Sequence, residues 1–97
     1  MGQFDASVFE SCLGTAEGGC VESQYKLGLM YATGHGVGQD NVLAHMWFNI
    51  ANSLASKRMR KYYIKDKKSA EKEMSSAQII KAQKMARECV RKKYTGC

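Results

Sequence analysis

The sequence contains no proline, and its abundant alanine, lysine, methionine, glutamine and glutamate favour helix over strand. It lacks a long apolar stretch: no run approaches the roughly 18–20 residues needed to cross a bilayer, so no membrane span is expected. The opening residues show no basic, then apolar, then small-residue pattern, so no secretory signal is legible. Its four cysteines show no short Cys-x-x-Cys spacing, which argues against a metal site. No metal and no cofactor are expected. Positive charge is nearly missing from the first half. Residues 1–50 carry one lysine against Asp5, Glu10, Glu17, Glu22 and Asp40, a net charge of −4.

The second half reverses that balance. Residues 51–97 carry fourteen Lys/Arg against Asp66, Glu71, Glu73 and Glu88, a net charge of +10. Such asymmetry suits an anionic partner, whether nucleic acid, an anionic surface, a cell-wall polymer or an acidic protein. It equally suits a solvated, lysine-rich helix face. With 97 residues the chain makes one domain, burying about 60–65% of its unfolded surface.

Apolar residues recur periodically along nearly the whole length, which excludes disorder and divides the chain into five helices. Asp5 is placed to cap a first helix running to about Ala16, with Val8, Phe9, Cys12 and Leu13 on one side. Gly18-Gly19 ends it. A second helix runs from about Val21 to Ala32. The glycines of residues 34–38 mark a loop, since each would cost about 1 kcal/mol inside a helix. Asp40 or Asn41 then caps a third helix, in which Leu43, Met46, Trp47 and Ile50 form a buried stripe. From about Ala55 to Glu73 a narrow stripe of Met59, Tyr63, Ala70 and Met74 runs through a basic background. Ser75 followed by Gln78 reads as a capping box opening a last helix to about Lys93, with Ile79, Ala82, Ala86 and Cys89 on one face.

Residues 16–51 carry the most specific pattern: Ala16, Gly19, Gln24, Leu27-Gly28, Met30-Tyr31, Gly34, Gly36-Val37, Asp40, Ala44, Trp47 and Ala51. The pattern resembles the Sel-one-like repeat, a relative of the tetratricopeptide repeat. Gly28 in mid-helix is unfavourable unless another backbone comes close, and Ala44 on the next helix is the expected partner. Gly34 and Gly36 let the chain reverse, and Trp47 supplies bulk against a neighbouring repeat. Such a hairpin cannot bury its own apolar face, so neighbours must stack on it. The resemblance implies an all-α fold, a short α-solenoid of antiparallel helix pairs. Residues 5–19 are expected to be the trailing helix of a partial repeat, 20–53 a full repeat, and 54–97 a degenerate capping repeat.

Cys12 and Cys20 lie eight residues apart, as do Cys89 and Cys97, and both segments end in Gly-Cys. The spacing is similar to that of the cysteine-rich branch of the same family, which implies two disulfides, Cys12–Cys20 and Cys89–Cys97. A glycine turn can bring the β-carbons close enough for such a bond. Free thiols in a cytoplasmic protein are the alternative. Paired cysteines place the protein in an oxidising compartment, periplasmic or secreted, with its signal peptide outside this sequence; unpaired ones leave it cytoplasmic.

The resemblance further implies a non-enzymatic scaffold or adaptor with a protein partner. The first helix of each repeat lines the concave face, making Glu22, Tyr25, Lys26 and Leu29 candidate contacts. The basic helix offers a second surface, with Arg58, Arg60, Lys61, Lys65, Lys67 and Lys68 as candidates for an anionic polymer or acidic surface. The enzymatic rival is a hydrolase of cell-wall material or a penicillin-binding protein. Ser69 and Lys72 have the serine-x-x-lysine spacing, and His45 and His35 are the two histidines. No companion motif accompanies them, and no catalytic residue is assigned. His45 is expected at the surface or facing a groove.

Overall fold

The computed structural model describes residues 6–97, so the expected cap at Asp5 lies outside the described residues. Within them the chain forms five helices and no strand: α1 (Ala6–Glu17), α2 (Val21–Thr33), α3 (Asn41–Leu54), α4 (Lys57–Glu71) and α5 (Ser76–Arg91). The fold is all-α and solenoid-like.

The helix ends follow local chemistry. After α1 the chain turns at Gly19, whose φ of 92° favours glycine, and Cys20 N–H reaches back to the Thr15 carbonyl. Gly34, at φ 73°, ends α2, and its N–H donates to Met30 O at 2.8 Å. The Asp40 carboxylate accepts from the Val42 and Leu43 amides and caps α3. Ser75 and Gln78 close the reciprocal box that opens α5.

Helix α3 is the element the others share. Its residues 44, 48 and 51 lie along one side, by the three/four spacing of a helix. There Ala44 and Phe48 pack with Ala70 of α4, and Ala51 packs with Tyr63 of α4. Its residues 43, 46, 47 and 50 lie on the other side. There Met46, Trp47 and Ile50 join Cys12 and Ala16 of α1, Leu27 of α2, and Ala86 and Cys89 of α5. Helices α4 and α5 therefore flank α3, and α1 leans on α2, held there by Gln24 Nε2 donating to Ala16 O at 3.1 Å. The radius of gyration is 12.2 Å, close to the roughly 12–13 Å of a compact domain of this length.

One packing expectation is corrected. A β-carbon built on Gly28 would stand 2.4 Å from Cε1 of Phe48. The glycine thus makes room for an aromatic ring. Ala44, fully buried, lines the same cluster one turn before Phe48. The neighbour at Gly28 is thus the Phe48 ring and not the expected backbone at Ala44.

Candidate functional site

Tyr25 and Leu29, expected on an open concave face, are used inside the chain. The Tyr25 ring stacks on Tyr63 of α4, with centroids 4.4 Å apart, and leans on Phe48 at 5.8 Å. Its hydroxyl donates to the Asp66 carboxylate. Leu29 packs against the Ala44–Phe48–Ala70 cluster. What stays open is Glu22 and Lys26, an exposed ion pair of 3.6 Å whose contribution is small.

This packing sets the tyrosine chemistry. Burial, followed by the hydrogen bond to Asp66, raises the Tyr25 pKa strongly. Burial also raises Tyr31, with help from the Asp40 charge, and Tyr63, with help from Glu22. These phenols hold their protons longer in the fold than in the unfolded chain. Their contribution is whole below the ordinary tyrosine pKa of about 10 and is lost as pH rises beyond it. Urea midpoints measured at increasing pH should accordingly fall above that point. Tyr25→Phe should make the decline shallower while lowering neutral-pH stability, because Asp66 loses its donor. A midpoint that stays level through the alkaline range contradicts this account.

His45, expected at the surface or facing a groove, is completely buried. Its Nε2–H donates to Glu71 of α4 at 2.7 Å, and Asn49 Nδ2 donates to its Nδ1 at 2.9 Å. The ring is a polar tie between α3 and α4, and the helical phase it shares with Asn49 explains the placement. Among the described residues no hydrogen bond joins His45 to Ser69 or Lys72, and both of those are exposed. His35 is exposed, its Nδ1 lying 2.8 Å from the Thr33 hydroxyl. A concavity of about 620 Å³ lies between Asn49, Ile50 and Ser53 of α3 and Gln83, Ala86 and Arg87 of α5. Its one serine donates to its own helix, to Ile50 O at 2.7 Å, so nothing there pairs a nucleophile with a base. The described residues include no group of His, Cys, Asp and Glu able to hold a metal ion, and no helix long and apolar enough to cross a membrane.

Cys89 and Cys97 form a disulfide, with Cα atoms 5.7 Å apart. The expected Cys12–Cys20 bridge is absent, and both thiols are free. Cys12 and Ala16, four residues apart on one face of α1, point into the cluster containing Trp47 and Cys89. Cys20 lies beyond the Gly19 turn and faces solvent. Hydrogen bonds from the Ser23 side chain and backbone hold its thiol below the usual range. The Cys89–Cys97 bridge gathers the tail after α5 against the α1–α2 turn. There Tyr94 covers Gly19, its ring carbon Cε2 lying 3.6 Å from where a β-carbon on that glycine would stand, and Gly96 N–H donates to Glu17 at 3.1 Å.

Of the basic candidates, Arg58, Lys61, Lys65 and Lys68 are exposed along α4 at three/four spacing. The other two are placed differently: Arg60 donates to Ala55 O at 3.0 Å, closing the end of α3, and Lys67 is half-buried. Sequence reasoning missed that both carboxylates of α4 turn inward, Asp66 to Tyr25 and Glu71 to His45. For Asp66 the available signal was its place three residues after Tyr63 and four before Ala70.

A glycine-notched helix hairpin with further helices stacked on it defines a helical-repeat protein. Residues 21–56, which hold all of α2 and α3, match the family model of the Sel1 repeat. Repeats of this kind generally mediate protein–protein interaction. No curated protein and no solved structure matches the chain.

Proposed function

We propose that the protein is a non-enzymatic adaptor of a bacterial assembly, holding a protein partner on a short helical-repeat scaffold in the periplasm or outside the cell. The observation that carries the reading is the intact repeat hairpin at residues 21–56, packed on both sides by helices of the same chain. The Cys89–Cys97 disulfide supports an oxidising compartment. The hydrolase alternative draws no comparable support, since Ser69, Lys72 and His45 are not assembled into a site.

Affinity capture from the source organism without reductant tests the proposal. An adaptor should retain one or a few specific proteins in fixed ratio to itself, and Ser69→Ala should leave that retention unchanged. Retention of nothing, together with hydrolysis of cell-wall material that Ser69→Ala abolishes, would reverse the assignment.

A further inference from the structure

The outer side of α4 carries cations without compensation. Arg58, Lys61, Lys65 and Lys68 stand along it over about 15 Å, at 1.5 Å per residue, and are all exposed. None of them is in an ion pair among the described residues. The helix has two carboxylates of its own, and both are engaged on the inner side by Tyr25 and His45. Beside the cationic row, Met59 and Tyr62 are one turn apart and respectively 40% and 52% exposed. The Lys61 ammonium sits over the Tyr62 ring at 5.2 Å from its centroid. The rest of that ring stays open beside Met59, an apolar surface next to the cations.

We infer that the outer face of α4 is the docking surface for an acidic segment of a partner protein, one with carboxylates at helical spacing and an apolar side chain beside them. The inference rests on the adaptor reading and gives it a surface. A partner helix with acids at three/four spacing would place each carboxylate opposite one cation. An apolar side chain on its flank would cover Met59 and Tyr62, and complementary charge would set register and speed encounter. Nucleic acid would use the same cations but would derive its affinity from phosphate neutralisation, with a steep loss in salt.

The test is fluorescence anisotropy at low and at physiological salt. The probe is a labelled peptide of the length of α4, with glutamates at three/four spacing and leucine on one flank. Wild-type protein should bind it, and Lys61→Glu/Lys65→Glu/Lys68→Glu should weaken binding about tenfold or more. The neutral set Lys61→Gln/Lys65→Gln/Lys68→Gln guards against a folding loss and should weaken it less. Changing the leucine to serine, or Tyr62→Ser, should weaken binding severalfold. Single-stranded DNA of equal charge should bind less tightly than the peptide. Equal binding by the wild type and both lysine variants overturns the inference, as does tighter, steeply salt-dependent binding of the DNA. The two readings fail separately. If the charge-reversed protein still captures the wild-type partner, the surface is wrong and the adaptor stands. If the wild type captures no protein, the adaptor falls.

Discussion

Replacing Phe48 by alanine should lower the unfolding free energy by about 3–5 kcal/mol, and in that background Gly28→Ala should cease to be harmful. Phe48 is 1% exposed, and its ring meets Tyr25 on one side and the α-carbon notch of Gly28 on another. Deleting the ring opens a cavity between α2, α3 and α4. The loss is a large part of the roughly 5–15 kcal/mol that holds a small domain together. In the wild type, Gly28→Ala gains up to about 1 kcal/mol of helix propensity. It also drives a methyl against a buried ring that has nowhere to move, at about 1–3 kcal/mol. With the ring gone the methyl enters empty space, and only the propensity gain remains. A double-mutant cycle on urea midpoints measures this, and additive effects of the two substitutions would show that Gly28 and Phe48 do not meet.

Severing the Cys89–Cys97 bridge should cost about 2–3 kcal/mol, the loop-closure value for its short span. The bridge closes a separation of eight residues, across which Lys93 and Tyr94 adopt φ values of 54° and 68°. Those left-handed conformations are uncommon for residues with a side chain. Without the bridge they should relax, and the tail should leave the α1–α2 turn. Cys97→Ser should therefore lower the thermal midpoint and speed amide exchange at Tyr94 and Gly96. Cys20→Ser should do neither, because its thiol is free and exposed. A thiol titration of the denatured, unreduced protein should count two free cysteines. Finding none would mean that Cys12 and Cys20 are joined in solution.

Much of this architecture could be read from residue order, because the signals are local. The glycines at 18–19 and 34–38, the Asp40 cap and the Ser75/Gln78 box each act within a turn of their own position. The helix limits that were expected accordingly agree to within two residues, with the two-residue differences at the ends of α4 and the end of α5. The Cys89–Cys97 bond was legible for the same reason. What escaped depends on how helices are rotated against one another. Spacing alone gave Cys12 and Cys20 the same chance of pairing, but the phase of Cys12 with Ala16 turns it into the core. His45, expected at the surface or facing a groove, is buried because Glu71, distant in sequence, supplies its partner. Tyr25 met Asp66 across 41 positions, a separation over which one sequence gives no pairing signal.

The position of α3 has one more consequence. In an open array of helical repeats each unit touches only its neighbours, so heat can melt the ends while the middle survives. Here the side chains of one helix form part of every hydrophobic cluster. It acts as a keystone: loosening any flank exposes apolar surface on it, and the remaining flanks lose their footing. Heating should therefore take the molecule apart in one all-or-none step, with the same midpoint by circular dichroism and by Trp47 fluorescence.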